Sequence, residues 1–179
     1  PFSFIFSRLI GGVDIRTRGS RNVGATNVLR SLGWQVALVA LLGDVAKGFI
    51  PAWLGYAQGG HILAATCGAA AVAGHCWPVF LRFKGGKGVA TSAGAILFLM
   101  PKVIIPLVLI FILIIAIFRY VSLGSIIVAA LLPVIALIMG EPRFYLVFSL
   151  ILAVTVIARH HSNITKLRNG TEAKITERL

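Results

Sequence analysis

Long apolar segments are the feature that most constrains this 179-residue chain. They lie at 32–56, 61–81, 92–118, 121–139 and 144–158. Most approach the roughly 20 residues that a helix needs to cross a bilayer. Hydrophobic residues make up 58% of the chain and charged residues 12%, whereas a soluble domain has about a quarter charged residues. This composition excludes a soluble enzyme, a disordered chain and a disulfide scaffold, and it predicts an all-α polytopic membrane protein.

Basic residues interrupt the apolar segments and give the chain a formal charge of +12. In a soluble protein this charge would indicate nucleic acid. Here anionic lipid headgroups, phosphorylated substrates and membrane topology explain it better, so we expect membrane lipids and no nucleic acid as partners. Most of the Lys and Arg residues fall in 8–30, 82–87 and 159–178. The positive-inside rule places these three stretches on the cytoplasmic side.

Keeping the basic stretches on one side fixes the number of crossings. The chain must cross an even number of times between the second stretch and the third, whereas three apolar segments would give an odd count. Splitting 92–118 at Met100-Pro101-Lys102, with a short or partly re-entrant first pass, removes the conflict and leaves Arg119 on the cytoplasmic side. Since 1–10 is expected to be an incomplete first helix, the prediction is a seven-helix transmembrane bundle with three cytoplasmic motif loops, in one domain over 1–179.

Three polar stretches on the cytoplasmic side have compositions that favour phosphate binding. The first, 19–30, offers hydroxyls, amides, arginines and no carboxylate, and a helix beginning near Thr26 would add its dipole. An ordinary solvated basic loop is the alternative for this stretch. The second, 84–91, combines two lysines with glycines that permit a backbone nest. In the third, 159–167, His160 and Asn163 would share one face of the last helix if that helix continues.

Other polar residues allow two interpretations each. Asp44 and Lys47, at i and i+3 within an apolar segment, predict either a structural intramembrane ion pair or a support for the substrate site. His75 is either a core histidine or a residue that lines the site. The adjacent histidines His160 and His161 point about 100° apart on a helix, and with so few carboxylates we expect no metal. We expect no organic cofactor either.

A charge-relay acyltransferase motif is absent from the sequence. Many glycerol-lipid acyltransferases have an Asp at a fixed short distance after a catalytic His. The residues five positions after the four histidines are Thr66, Phe80, Thr165 and Lys166, and none is Asp. The G-x-S-x-G pattern of serine hydrolases is absent as well.

The three polar stretches resemble the three signature motifs of the bacterial acyl-phosphate:glycerol-3-phosphate acyltransferases, the PlsY family. The resemblance covers essentially the whole chain, with the motifs in the right order and at the right separation. Two positions depart from the pattern: Arg21 stands where many members have Gly, and Lys166 stands where Arg is common. The matching residues are Ser20-Arg21-Asn22-Val23-Gly24-Ala25-Thr26-Asn27, Gly85-Gly86-Lys87-Gly88-Val89-Ala90-Thr91, His160 with Asn163-Ile164, Gly170-x-Glu172, Asp44-x-x-Lys47-Gly48 and Gly74-His75-x-x-Pro78.

The resemblance implies transfer of a fatty acyl group from acyl phosphate to the 1-hydroxyl of glycerol 3-phosphate. The products would be lysophosphatidic acid and inorganic phosphate, made in phospholipid synthesis by a multi-pass monomer in the bacterial inner membrane, with its active site on the cytoplasmic face. Two phosphorylated substrates suit loops rich in Arg, Lys and Gly. Acyl phosphate is an activated mixed anhydride, so no covalent enzyme nucleophile is needed. The alternative is a transporter of a phosphorylated solute. Inverted repeats would support a transporter, and the sequence shows none.

The resemblance also implies roles for individual residues. His160 and Asn163 would orient the glycerol hydroxyl, and either His160 would serve as general base or a substrate phosphate would take the proton. Which loop holds which phosphate stays open, and Glu172 would pair with a basic neighbour. The catalytic candidates are His160, Asn163 and Ser20. The phosphate-binding candidates are Arg30, Asn22, Gly24, Thr26, Asn27, Lys84, Gly85, Gly86, Lys87, Gly88 and Thr91. The supporting candidates are Asp44, Lys47, His75 and Glu172.

Overall fold

The computed structural model describes residues 1–177, and every regular element in that range is helical. Two short 3-10 turns, Ile15–Thr17 and Val79–Leu81, follow the first and third α-helices. The α-helices are α1 (Phe2–Leu9), α2 (Ala25–Leu32), α3 (Trp34–Cys76), α4 (Val89–Leu99), α5 (Pro101–Phe118), α6 (Val121–Ile138), α7 (Arg143–Arg159) and α8 (His161–Arg168).

Helix α3 consists of two arms that fold back on each other. Gly59 and Gly60 leave helical geometry, and Gly60 takes φ +69°, a left-handed conformation that glycine adopts without strain. A Cβ on Gly55 in the first arm would lie 2.9 Å from the carbonyl oxygen of Leu63 in the second arm. The hairpin therefore separates the predicted apolar segments 32–56 and 61–81, and it makes two predicted crossings out of α3.

The predicted split of the long apolar segment 92–118 is also confirmed. Helix α4 ends at Leu99, Met100 leaves helical geometry with φ -137°, and α5 begins at Pro101. Proline suits the first position of a helix because that position needs no N–H hydrogen bond. At 11 residues, α4 is only about 16 Å long, which agrees with a short or partly re-entrant pass.

Within residues 1–177, three helical segments are long and apolar enough to span a membrane. They are Trp34–Leu81, which joins α3 to the turn after it, α5 and α6. Helices α7 and α8, bent by 57° at their junction, supply a fourth if they are counted together. The seven predicted crossings correspond to α1, the two arms of α3 and α4 to α7, and the number of crossings itself stays a prediction.

Small residues hold α4 between the two arms of α3. A Cβ on Gly48 would collide with the carbonyl of Thr91, and a Cβ on Gly94 would collide with the carbonyl of Val45. From the second arm, Gly68 lies against Ala95 of α4. Such close backbone approach is how helices associate in lipid. It also places the glycine-rich loop before α4 beside the end of α3.

The polar motifs gather at one end of the bundle. There the N–H of Ile175 donates to the carbonyl of Arg119, 2.8 Å away, in the turn between α5 and α6. At the other end, His61 lies 2.7 Å from the hydroxyl of Tyr145, near the hairpin turn of α3. Arg119 is therefore at the same end as the C-terminal motif, as predicted.

Candidate active site

The three motif stretches meet around one cavity of about 710 Å³. Most of its polar lining comes from the motif stretches, and its apolar lining comes from α3 to α7, with most residues from α4, α5 and α6. The predicted site residues in the lining are Ser20, Asn22, Gly24, Thr26, Asn27, Arg30, Asp44, His75, Lys87, Gly88, His160, Asn163 and Glu172. The apolar lining includes Ile104, Leu107, Phe111, Val128, Leu132 and Leu152.

Five predicted residues lie outside the lining of this cavity. Lys84 has an exposed side chain, so the structure does not bring it to the site as the motif suggested. Thr91 is fully buried behind the loop, where its carbonyl contacts Gly48. The other three are Lys47, Gly85 and Gly86. These five residues therefore do not face the cavity, although the sequence motifs placed them among the site residues.

Asn27 shapes the first motif loop from within. Its Oδ1 accepts the N–H of Ser20 at 3.0 Å, and its Nδ2 donates to the carbonyls of Ile15, Arg18 and Asn22 at 3.0–3.2 Å. The side chain is buried, and both ends of its amide are occupied by the loop. Asn27 therefore fixes the loop and the position of Ser20, and is not a free phosphate ligand.

The first turn of α2 faces the cavity. The helix begins at Ala25 after an extended Gly24, one residue before the predicted start near Thr26. A helix N-terminus favours anions because its N–H groups and dipole point outward. One turn further along α2, Nη2 of Arg30 donates a hydrogen bond to the carbonyl of Ala173 at 2.6 Å. Burial lowers the pKa of Arg30, and the charge of Glu172 opposes that shift.

Arg21 occupies a backbone conformation that favours glycine. Its φ is +59°, in the left-handed region, which costs a non-glycine residue about 1–2 kcal/mol. This is one of the two positions at which the sequence departs from the family pattern described above. The loop therefore takes a left-handed turn at Arg21 that glycine would adopt without strain.

The glycine-rich loop is held from both sides. On one side, Gly86 packs so closely on His75 that a Cβ would collide with the imidazole ring, and its N–H donates to the carbonyl of His75 at 3.1 Å. On the other, Nε and Nη2 of Arg159 donate to the carbonyls of Gly86 and Gly85 at 3.2 and 3.0 Å. Between these supports Lys87 and Gly88 reach the cavity. Sequence reasoning missed Arg159, which read only as a basic residue after the last apolar segment.

Lys87 brings an unbalanced positive charge to the cavity. Burial lowers its pKa to about 8; Glu172 opposes the shift, and Lys166, Arg30 and Arg159 add to it. No carboxylate among residues 1–177 forms an ion pair with it. A partly buried lysine surrounded by other cations is suited to an anionic ligand, because that ligand would supply the missing negative charge.

His160 lies at a break between two helices. Helix α7 ends at Arg159 and α8 begins at His161, so the last helix does not continue unbroken through His160, yet His160 and Asn163 still meet in the cavity. Nδ1 of His160 lies 2.7 Å from the carbonyl oxygen of Val156. A carbonyl only accepts, so Nδ1 carries the proton and Nε2 is an acceptor. Burial, together with the charge of Lys87, lowers the pKa of His160 to about 4, which keeps the ring neutral.

Glu172 binds two neutral donors. Its Oε1 accepts a hydrogen bond from Oγ of Ser122 at 2.6 Å and another from Nδ2 of Asn163 at 2.7 Å. The expected basic partner is therefore wrong: over the described 177 residues no ion pair includes Glu172. Sequence reasoning missed Ser122, because this residue lies at the start of α6 and belongs to none of the three motif stretches. Within the same range, no group of three or more His, Cys, Asp or Glu side chains is placed to hold a metal ion.

Asp44 contacts His75 and α1. Its Oδ1 accepts the N–H of Phe2 at 3.0 Å, its Oδ2 accepts Oγ of Ser3 at 3.1 Å, and Nδ1 of His75 lies 3.4 Å from Oδ1. The predicted ion pair with Lys47 is not found in the part of the chain that the structure describes. The second arm of α3 brings His75 to Asp44, a contact that sequence spacing does not reveal. Asp44 thus supports the histidine on which Gly86 packs.

Comparison with known proteins identifies the family of this chain. The family model for glycerol-3-phosphate acyltransferase matches residues 1–170. The glycerol-3-phosphate acyltransferase of Syntrophomonas wolfei is 56% identical over 178 residues, covering 99% of this chain and 91% of that protein. The crystal structure of PlsY (YgiH), an integral membrane glycerol 3-phosphate acyltransferase, in its glycerol 3-phosphate form has a TM-score of 0.90 at 38% identity, over 97% of this chain and 89% of that one. Its lysophosphatidic acid form has a TM-score of 0.84 at 35% identity, over 97% and 91%.

The helical bundle and its cavity define an integral membrane enzyme, and the predicted all-α polytopic class is confirmed. The chain belongs to the glycerol-3-phosphate acyltransferase family, as its three motifs indicated. It is therefore an acyltransferase.

Gly86→Ala is expected to lower kcat/KM for acyl transfer about a hundredfold, because a Cβ pushes the loop away from His75 and moves Lys87. Gly74→Ala is the matched control: nothing lies within 4 Å of its Cβ. This control should retain activity and gain about 0.5–1 kcal/mol of stability, since alanine is the better helix former. Kinetics and thermal unfolding in detergent measure both effects. Equal activity of the two variants would show that the close packing of the loop on His75 is unimportant.

Proposed function

We propose that the chain transfers a fatty acyl group from acyl phosphate to the 1-hydroxyl of glycerol 3-phosphate, giving 1-acyl-glycerol 3-phosphate and inorganic phosphate in phospholipid synthesis. The observation that carries the proposal is the composition of one cavity. Cationic groups around Lys87, which form no ion pair within residues 1–177, meet an apolar lining from α3 to α7. A phosphate and a fatty chain are the two chemistries that such a cavity accommodates together.

The relatives support the acceptor. They are named glycerol-3-phosphate acyltransferases, and the related PlsY structure exists in glycerol 3-phosphate and lysophosphatidic acid forms. Lys87 and Arg30 are the partly buried cations available to phosphate, and the first turn of α2 adds N–H groups. These groups favour phosphorylated substrates over neutral ones.

The proposed reaction needs no covalent enzyme intermediate. The 1-hydroxyl oxygen attacks the carbonyl carbon of acyl phosphate and forms the new ester bond, and the bond from that carbon to the phosphate oxygen breaks. The hydroxyl proton leaves with the phosphate. Lys87 stabilises the negative charge that grows on the departing phosphate, the kind of electrostatic effect that dominates many enzymatic rates.

His160 orients the hydroxyl in this scheme. Its Nε2 accepts the hydroxyl hydrogen bond, because Nδ1 already donates to Val156. A ring with a pKa of about 4 is a weak base. A phosphate dianion, with a second pKa of about 6, is a stronger one. The phosphate of the donor therefore takes the proton, and the enzyme supplies orientation and charge.

Location and assembly follow from the same features. The basic stretches support a bacterial inner-membrane protein with the cavity on the cytoplasmic face, where soluble glycerol 3-phosphate enters. The motif stretches of one chain enclose the cavity, so the proposed reaction requires no residue from a second copy, and the proposed form is a monomer. The catalytic scheme uses only groups of the chain and of its two substrates.

The test is product formation by the purified full-length chain given palmitoyl phosphate, with and without glycerol 3-phosphate. We expect phosphate release that depends on glycerol 3-phosphate, with an equal amount of lysophosphatidic acid by lipid chromatography. Folded protein that forms no product would contradict the proposal. Uptake of a phosphorylated solute into vesicles by the same protein would then favour the transporter.

A further inference from the structure

The amide of Asn163 has one satisfied end and one unsatisfied end. Nδ2 donates to Oε1 of Glu172 at 2.7 Å. Oδ1 is buried and has no hydrogen-bond partner in residues 1–177. The side chain lines the cavity and is only 9% exposed. An unpartnered buried acceptor is costly unless a ligand supplies the donor.

The chemistry of Glu172 fixes which end of the amide is free. If the amide turned over, Oδ1 would face the carboxylate, and two acceptors would repel each other. The carboxylate is itself held by Ser122, whose Oγ donates to the same Oε1 at 2.6 Å. Three segments contribute one residue each: α6 supplies Ser122, the C-terminal segment supplies Glu172, and α8 supplies Asn163.

Glycerol 3-phosphate has two hydroxyl groups, and each is a donor. The cavity offers two acceptors near each other in the chain: Nε2 of His160, assigned above to the reacting 1-hydroxyl, and Oδ1 of Asn163. We propose that Asn163 Oδ1 accepts the 2-hydroxyl of glycerol 3-phosphate and that Ser122, acting through Glu172, is the positioning residue that keeps this acceptor turned to the substrate. This inference rests on the proposed function.

Selectivity for the 2-hydroxyl is the property that reveals this arrangement. The probe is 3-hydroxypropyl phosphate, which keeps the reacting hydroxyl and the phosphate but lacks the 2-hydroxyl. The unmodified enzyme should prefer glycerol 3-phosphate in kcat/KM by about fiftyfold, because the analogue leaves a buried acceptor unpaired. A purely structural Ser122 would have no influence on this ratio.

Ser122→Ala should reduce the preference to about fivefold, by lowering kcat/KM for glycerol 3-phosphate and changing that for the analogue less than about twofold. Ser149→Ala is the matched control, since Ser149 is a buried serine that donates to Leu146 within α7 and lies outside the cavity lining. It should leave the preference unchanged. Thermal unfolding in detergent verifies that each variant is folded.

A double-mutant cycle keeps the inference testable even if one variant loses stability. In an Asn163→Ala background, Ser122→Ala should cause no further change in the preference, because the acceptor that Ser122 positions is gone. An equal loss for both substrates in Ser122→Ala, or no preference in the unmodified enzyme, would overturn the inference while leaving the acyl transfer itself intact. Absence of lysophosphatidic acid from the unmodified enzyme would instead overturn the proposed function.

Discussion

Lys87→Met is expected to lower kcat/KM for acyl transfer about a thousandfold, or ~4 kcal/mol, the upper range for removal of one electrostatic group from a preorganised site. The cause is loss of the partly buried charge that faces the cavity without a carboxylate partner among the described residues. Methionine keeps most of the length and apolar volume of the lysine stem. Steady-state kinetics with palmitoyl phosphate and glycerol 3-phosphate measure the loss.

Lys84→Met is the matched control. It removes the same charge from the same loop three residues earlier, where the side chain is exposed and outside the cavity lining. Screening by solvent should limit its effect to less than about twofold. If the two variants lost similar activity, general attraction of substrate to a basic loop would explain the result, and the specific role of Lys87 would be wrong.

The pH profile tests whether the charge of Lys87, and not its shape, matters. Its pKa of about 8 in the folded protein means that it is charged below pH 8 and neutral above it. The value of kcat/KM, which reports the free enzyme, should therefore fall as pH rises through 8. Lys87→Arg stays charged, so its profile should lack this fall even if its maximum is lower. A fall at the same pH in Lys87→Arg would assign it to another group.

The parts of the fold that the sequence predicts are those that the membrane imposes on local composition. Apolar length sets where helices lie, and glycine or proline sets where they stop, as at Gly60 and Pro101. The basic stretches predict that the motifs share one end of the bundle. The structure adds that the three motifs surround one cavity at that end. The close contacts of α4 with α3 contribute to this, because they hold the glycine-rich loop beside the end of α3.

The contacts within the site could not be predicted in the same way, because they depend on packing between distant segments. Asp44 is near Lys47 in sequence, yet the fold brings His75 to it. Ser122 is 50 residues from Glu172 and carries no motif. Spacing gave no sign of the break at His160, since the surrounding residues are compatible with one continuous helix.

Family motifs predict which residues matter more readily than what each one does. Lys84 and Lys87 belong to one loop, but burial and the supports from Arg159 and His75 direct only Lys87 to the cavity. Asn27 matches the first motif as closely as Ser20 does, and its hydrogen bonds are all spent on the loop. Motif matching alone would class all of these residues as ligands.

His160→Ala is expected to lower kcat about a hundredfold, or ~2.7 kcal/mol, through loss of the acceptor that holds the 1-hydroxyl. His161→Ala is the matched control, because this neighbouring histidine is exposed and its ring hydrogen-bonds only to the carbonyl of Ala158 among the described residues. We expect the control to stay within about twofold of the unmodified enzyme. Single-turnover measurements with saturating glycerol 3-phosphate separate the chemical step from product release.

His160→Gln distinguishes orientation from general-base catalysis. The side-chain oxygen of glutamine can accept a hydrogen bond near the position of Nε2 but cannot take a proton at neutral pH. If His160 orients the hydroxyl while the donor phosphate takes the proton, this variant should stay within about tenfold of the unmodified enzyme. A loss as large as that of His160→Ala would instead make His160 the general base, despite the burial that lowers its pKa to about 4. A loss of only about tenfold in His160→Ala itself would exclude the general-base role outright, because general bases contribute about 10²–10⁴-fold.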